Sequence, residues 1–311
     1  MYKDMPKPRE PDVADLSPDL EPRRRALDAM LRALGSAVVA YSGGVDSTFL
    51  AVIAHDVLGD RALAVTADSP SLPRRRLEEA REWARRFGFV HRIITSCELA
   101  NPAYAANRPD RCYHCKSDLF ARLTALARAE GYAAVLDGAN ADDLRDYRPG
   151  AKAARDLGVR SPLQELGLTK QDIRRLSRWR GLPTADRPAS ACLASRIPFG
   201  TPVTAEILAR VEQAEDALAD LGFRQVRVRA HGEIARIELG ADEIPRCLDE
   251  HLRRDMADAV RRVGFRYAAL DLLGYRTGSL NEPLRPSERS ASPPSPAPST
   301  PTDPQAMSPP A

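Results

Sequence analysis

Short apolar runs rich in β-branched residues alternate with helical stretches through the first half of this 311-residue chain, and that rhythm admits few folds. Arg23 to Leu34 has helical spacing, with Leu27, Leu31 and Leu34 on one side. "AVVAY" reads as a buried strand, Asp46 to Leu58 as a helix, "RALAVTA" as a strand, and "RRRLEEAREWARRFG" as an amphipathic helix ending at Gly88. "VHRIIT", the helix "KSDLFARLTALARAEG" and the strand "YAAVLDG" follow. Strand–helix alternation implies a parallel sheet covered on both faces, and ligands of such sheets bind beyond the carboxyl ends of the strands.

The rhythm changes near Thr201. "TAEILARVEQAEDALADLG" is helical, and "FRQVRVRAHGEIARIEL" reads as two alternating strands turning at His231–Gly232. "IPRCLDEHLRRDMADAVRRVG" is helical and "FRYAALDL" a last strand, so a small α+β unit follows the α/β one. The expected divisions are an arm at 1–20, an α/β domain at 21–187, a linker with a small α+β domain at 188–280, and a tail at 281–311. The tail carries ten prolines and many serines, a composition with nothing to bury.

The formal net charge of +3 is small for a nucleic-acid binder, and the arginine runs "EPRRRAL" and "LPRRRLEE" read as solvated helix faces. No apolar run approaches the roughly 18 residues of a membrane span. The N-terminal stretch has no hydrophobic signal core, which points to the cytoplasm, where cysteines stay reduced and bind metals or react.

"VVAYSGGVDSTFL", Val38 to Leu50, is a strand, a tight loop and a helix at the first βα junction. Gly43 and Gly44 let the backbone approach a ligand closely, and the following helix offers unpaired N–H groups and a positive dipole end to an anion. Ser42, Ser47 and Thr48 add hydroxyl donors. Asp46 is the odd member, since a carboxylate repels phosphate; it either caps the helix or faces Mg²⁺ lying between it and the phosphates. The Gly-Lys-Ser/Thr ending of a Walker loop is missing. Ser-Gly-Gly-Val-Asp-Ser resembles the pyrophosphate loop of the PP-loop ATP pyrophosphatases, which cleave ATP between the α and β phosphates and adenylate an oxygen of their substrate. That resemblance places "AVTADSPSLP" along the adenosine, with Thr66, Ala67 and Ser69 near adenine or ribose. "DGANADD" follows strand four, which puts Gly138, Asn140 and Asp143 at the same edge, although Asp142 and Asp143 serve equally well as caps.

Five cysteines are present. Cys112 and Cys115, in "RCYHCK" just before a helix, suit half a zinc site, a redox pair or part of an iron–sulfur site. A helix N-terminus with Arg111 and Lys116 alongside would lower a thiol pKa. His114 and Cys97 are available as a fourth zinc ligand. Cys192, among Ser190, Ser195 and Arg196 in the Pro-rich link between domains, has the setting of a reactive or ligating thiol.

Taken together with "SPLQELGLTKQDIR", "GLPTADRPASACLASRIPFGTPVT" and "RVRAHGEIARIE", these motifs look like the LarE family, in order from roughly Arg24 to Asp271. The resemblance implies a Rossmann-like PP-loop domain followed by a smaller α+β domain. It implies an ATP-dependent sulfur transferase that adenylates and thiolates the carboxylates of pyridinium-3,5-biscarboxylic acid mononucleotide, on the way to the nickel-pincer nucleotide cofactor of lactate racemase. Family members with one cysteine sacrifice it as the sulfur source, and Cys192 matches that position. Those with three hold a 4Fe-4S cluster that can carry an extra sulfide, and Cys112, Cys115 and Cys192 match that kind. Three thiolates also suit an iron–sulfur cluster chemically. The resemblance further implies a homo-oligomer, often a hexamer, and an external sulfide or sulfur donor.

In the second domain Arg227 and Arg229 share one strand face and suit a substrate phosphate, as does Arg196. Glu215 and Glu238 match family positions that line the substrate site. The family's adenylate-site tryptophan has no counterpart, because Trp83 and Trp179 both lie in helical patterns. Two other classes share features with this reading: a PP-loop amidotransferase-type synthetase or tRNA thiolase, the low charge arguing against tRNA binding, and a non-enzymatic nucleotide-sensing or zinc-stabilised scaffold.

Overall fold

A computed structural model describes residues 16–145, 149–188, 191–276 and 278–282. Ser190, residues 1–15 of the expected arm and the tail from 283 onward lie outside the described residues. In the first half the order is α1 (Glu21–Leu34), β1 (Ala37–Ala40), α2 (Val45–Leu58), β2 (Ala62–Asp68), α3 (Arg74–Phe87), β3 (Val90–Thr95), α4 (Pro102–Ala105), α5 (Arg111–Glu130) and β4 (Ala134–Leu136). Then come α6 (Pro149–Asp156), α7 (Pro162–Glu165), α8 (Lys170–Trp179), α9 (Ala205–Asp220), β5 (Val226–His231), β6 (Ile234–Leu239), α10 (Glu250–Arg262) and β7 (Tyr267–Leu270).

The first sheet is parallel, in the order β3-β2-β1-β4. Successive strand residues point to opposite faces, and two cores follow from that. Ala37, Val39, Ala62 and Ala64 pack with α1, α2, α3 and α8, whereas Val38, Leu63 and Val65 pack with α5 and α6. Helix α2 runs through the first core with nearly every residue from Val45 to Ala54 buried, which explains its almost continuous apolar sequence. Leu16 and Leu20, expected in the arm, are buried in this core as well.

The strand order reverses direction between β1 and β4, making their carboxyl ends a topological switch point. The loops after these two strands meet there. A Cβ on Gly138 would lie 3.0 Å from the backbone nitrogen of Ser47, so only glycine lets the β4 loop seat on the start of α2.

The second sheet has the order β5-β6-β7, with an antiparallel hairpin turning at Gly232 and a parallel β6–β7 pair closed by α10. Leu208, Val211, Ala214 and Leu218 of α9 cover Val226, Val228, Ala230 and Ile237. The helix expected from Ile244 is two pieces, a 3-10 turn at Ile244–Leu248 and then α10, because Asp249 stops one and caps the other through Leu252 N–H. The two layers meet through Arg75 of α3, which pairs with Asp216 (2.7 Å) and Asp220 (2.6 Å) of α9.

Gly274 locks the chain after β7 against the hairpin. Its φ is +66°, and a Cβ there would stand 2.6 Å from the carbonyl oxygen of Leu239. Gly274→Ala is expected to destabilise the fold by about 1–3 kcal/mol, from strained backbone and a forced contact. A thermal melt unchanged from the wild type would contradict this.

Candidate active site

The loop between β1 and α2 is built by hydrogen bonds within itself. Gly43 takes φ +69° and packs on Ala80, and Gly44 is the extended N-cap of α2 without a side chain to cap it. The Oγ of Ser47 accepts from Ser42 N–H (3.2 Å), meets Ser42 Oγ (3.1 Å) and reaches Gly44 O (3.3 Å). Ser47 therefore closes the loop, and Ser42 is exposed at its rim. The first N–H groups of an α-helix have no partner inside the helix, so the start of α2 offers donors of the kind that suit an anion. Thr48, expected as a further hydroxyl donor, is fully buried behind the loop.

Asp46 has a partner that sequence reasoning missed. Its Oδ2 lies 2.6 Å from Nζ of Lys170, while Oδ1 is buried without a hydrogen-bond partner.

The expected adenosine strip lies beside the loop. The Thr66 side chain is committed to the interior, donating to Tyr41 O (2.7 Å) and meeting His91 Nε2 (2.9 Å). That leaves backbone groups of Thr66, Ala67 and Ser69 as the usable ones. Ser69 Oγ accepts from Ser71 N–H. Asn140 and Asp143 organise their own turn. Asn140 N–H donates to Asp143 Oδ2, Asn140 Oδ1 accepts from Asp142 N–H, and Asn140 O accepts from Gln164.

Cys112 and Cys115 do not precede α5; they sit in its first turns, because the helix starts at Arg111, ahead of the expected Lys116. Arg111 is 2% exposed and donates to Asn107 Oδ1 and to Ala194 O (2.9 Å). The Asn107 amide in turn donates to Ile197, Pro198 and Thr201 carbonyls. Leu193 N–H donates to Ser71 O. These bonds bolt the 192–201 segment to α5 and to the strip after β2. They bring Cys192 within electrostatic reach of both Cys112 and Cys115.

The expected lowering of the thiol pKa is not what the structure gives. Surrounding protein pushes Cys112 up, against the pull of Arg111 and Lys116, and burial pushes Cys115 up to about 12. For both thiols the loss of hydration outweighs the nearby cations. Cys112 and Cys192 nevertheless have exposed surface, so solutes can reach them. His114 lies 3.5 Å from Asp110 and Cys97 is exposed. Among the described residues no three His, Cys, Asp or Glu side chains are gathered around a single-ion position. A cluster of several irons spreads its ligands wider than one ion does.

Arginines meet where the two layers touch. Arg196 is 1% exposed and forms a bidentate pair with Glu215 (2.9 and 2.9 Å). It also donates to Ala191 O and Cys192 O, and Glu215 accepts from Val228 N–H. Arg229 pairs with fully buried Glu238 (3.0 and 2.8 Å) and donates to Ser195 O and Ser279 Oγ. Arg227 is half-buried, lies 5.5 Å over the Tyr275 ring, and has its pKa lowered by burial and by Arg196. Arg76, inside a run expected to be solvated, turns inward and donates to Gly43 O (3.4 Å). Burial, and then Arg187, Arg227 and Arg196, bring it down to about 10. Sequence reasoning missed Arg76 and Arg187. Together these groups make a cationic cluster that reaches the loop through Arg76 and the Cys192 carbonyl through Arg196, with Glu79 and Glu215 as nearby carboxylates. Neither tryptophan enters it: Trp83 is fully buried in the first core and Trp179 packs against that core.

No protein-family model matches the chain. It is 47% identical over 265 residues to an uncharacterised protein of Synechocystis, covering 85% of this chain and 99% of the relative. It is 39% identical over 268 residues to the pyridinium-3,5-bisthiocarboxylic acid mononucleotide synthase of Lactiplantibacillus plantarum, covering 85% of this chain and 96% of that enzyme. A more distant similarity, 29% over 179 residues, is to a glutamine-hydrolysing GMP synthase polypeptide of Archaeoglobus fulgidus, covering 54% of this chain and 56% of that one.

Proposed function

The chain belongs to the LarE family of the PP-loop superfamily, and from that premise we propose that it is an ATP-dependent sulfur transferase acting on pyridinium-3,5-biscarboxylic acid mononucleotide. The observation that supports this reading is the arginine cluster that touches the pyrophosphate loop through Arg76 and the Cys192 carbonyl through Arg196, with Cys112 and Cys115 close to Cys192.

The chemistry has two steps. A substrate carboxylate oxygen attacks the α-phosphorus of ATP, the bond from that phosphorus to the α–β bridging oxygen breaks, and pyrophosphate leaves with the electron pair. A sulfur nucleophile then attacks the acyl carbon and AMP leaves. Two rounds give the bis-thiocarboxylate. In this reading Ser42, Gly43, Gly44, Ser47 and the first N–H groups of α2 hold pyrophosphate. Backbone groups of Thr66, Ala67 and Ser69, with Gly138 and Asn140, shape the nucleotide pocket. Arg227 and Arg76 face the substrate phosphate. Arg196–Glu215 and Arg229–Glu238 are the buried pairs that hold the walls in register, since both arginines also anchor carbonyls of the 191–195 segment.

Asp46 is the residue that would hold Mg²⁺, because its Oδ1 is buried and unpartnered. Cys112, Cys115 and Cys192 would hold a 4Fe-4S cluster, a donor set of three soft thiolates that leaves one iron without a protein ligand. When bound, that cluster would supply the sulfide for transfer, with an external sulfur donor replenishing it. A homo-oligomer fits the exposed apolar surface of Leu272 and Leu273 beside the edge strand β7. No helix among the described residues is long and apolar enough to cross a membrane, and we place the enzyme in the cytoplasm.

The test is pyrophosphate release from ATP and Mg²⁺ with and without the biscarboxylate nucleotide, followed by mass spectrometry of the nucleotide. Substrate-dependent pyrophosphate and a thiocarboxylate product are expected. Tight, salt-sensitive binding of tRNA with no product from the nucleotide would overturn the assignment.

A further inference from the structure

We propose that Glu98 is an exchangeable ligand for the iron that the three cysteine thiolates leave open, bound through Oε1 until sulfide takes its place. The inference rests on the reading that Cys112, Cys115 and Cys192 hold a 4Fe-4S cluster. Glu98 begins a 3-10 turn, Glu98–Ala100, just beyond the carboxyl end of β3. It is 3% exposed. Among the described residues its Oε2 takes one hydrogen bond, from Ser96 Oγ (2.9 Å), and its Oε1 is buried with no partner. Carboxylates buried this deeply are ordinarily paired with a cation or coordinate a metal, and a buried oxygen without a donor calls for a physical explanation.

The fold brings this turn to the thiols. Ser96 N–H donates to Asp68 O (2.8 Å), which ties the turn to the end of β2 at the ligand edge of the sheet. The turn packs on α4 and on α5, the helix that carries Cys112 and Cys115. Leu99 and Cys115 both pack against the second core, which contains Tyr104 and Leu193. Tyr104 Oη meets Ser71 Oγ (2.5 Å), and Ser71 O accepts from Leu193 N–H (2.9 Å), next to Cys192. Glu98, the start of α5 and the segment around Cys192 therefore share one wall.

On structural grounds alone the carboxylate is badly placed. Cys115 feels Glu98 more strongly than it feels Cys112, and Tyr104 feels Glu98 as well. Three thiolates and a carboxylate gathered in one poorly hydrated place repel one another. A positive centre bound by all of them removes that conflict, and the irons of a cluster are such a centre. Carboxylate oxygen is a hard ligand and sulfide a soft one, so iron already held by thiolates prefers sulfide. Glu98 therefore keeps the open iron from being lost and yields it to incoming sulfide. In that exchange the carboxylate leaves with the electron pair of the iron–oxygen bond and sulfide brings the pair of the new bond, with no oxidant or reductant consumed.

The experiment is iron analysis and EPR spectroscopy of the anaerobically purified full chain, before and after a stoichiometric amount of ferricyanide. The wild type is expected to keep about four irons per chain, whereas Glu98→Gln is expected to fall to about three and to show the signal of a three-iron cluster. The iron-free form of Glu98→Gln is expected to melt no lower than the iron-free wild type, since the charge it removes had no partner there. Glu98→Asp, which keeps a shorter carboxylate, is expected to lose iron to an intermediate extent and serves if the glutamine variant folds poorly. A glutamine variant that holds four irons as firmly as the wild type would overturn the inference and leave the cluster reading standing. A glutamine variant whose iron-free form melts lower and which takes up no iron would make Glu98 a structural support, which also overturns it. A wild type without iron would overturn the cluster reading and the inference together.

Discussion

Cys192→Ala is expected to abolish formation of the thiocarboxylate while leaving substrate-dependent pyrophosphate release measurable. In the proposed function the two half-reactions use different residues. There, adenylation draws on the loop and on Asp46 at the start of α2. The proposed sulfur delivery draws on three thiols whose common location is set by Arg111, Asn107 and Leu193 rather than by the loop. Removing one of three thiolates leaves too few ligands for the proposed cluster. Cys112→Ala is expected to behave in the same way. Full thiolation by the Cys112 variant, set against none by the Cys192 variant, would instead make Cys192 the sulfur source itself. Pyrophosphate assay and mass spectrometry on one reaction mixture read both half-reactions.

The second large effect concerns stability. Arg229→Met leaves Glu238 at 0% exposure, with Arg236 at 3.2 Å as its remaining cation. Breaking a buried pair by removing one partner costs about 3–5 kcal/mol, because the survivor keeps its desolvation penalty and loses its compensation. Arg236 offsets part of that, which places the expected loss near the lower end of the range. The same change frees Ser195 O and Ser279 Oγ, so the chain around Cys192 should loosen along with the sheet. Adding Glu238→Gln to Arg229→Met should recover a measurable part of the loss, since the uncompensated charge is then gone. Denaturant unfolding of the two variants decides the matter: a single variant as stable as the wild type would show that the pair contributes nothing.

Much of the fold was legible because its determinants are local. The β-branched runs, the glycines closing α3 and α5, and the change of rhythm near residue 201 each report on a few neighbouring residues. The loop from Ser42 to Ser47 was legible for the same reason. Contacts between distant segments were not. Lys170 sits in "GLTKQDIR", whose only local signal is a capping box, and nothing in that octapeptide points to Asp46. Arg76 was hidden in an arginine run: Arg74 and Arg75 of the same turn are exposed, while Arg76 lies one position further around the helix and faces the loop. The beginning of α5 was placed late because Arg111 and Cys112 carry no helix signal of their own; tertiary bonds from Arg111 to Asn107 and Ala194 hold the first turn. The cysteine pKa shifts were misjudged because sequence shows the flanking cations and not the surrounding protein that desolvates the thiols.

The central claim is that sulfur comes from a cluster held by Cys112, Cys115 and Cys192 beside a pyrophosphate-binding loop. Iron and acid-labile sulfide measured on the anaerobically purified protein, alongside thiolation of the nucleotide by the same sample, test it most directly. The expected result is a brown protein with about four irons per chain, the content of one 4Fe-4S cluster, and thiolation that falls with iron content. A colourless, iron-free sample that thiolates the nucleotide at full rate would contradict it.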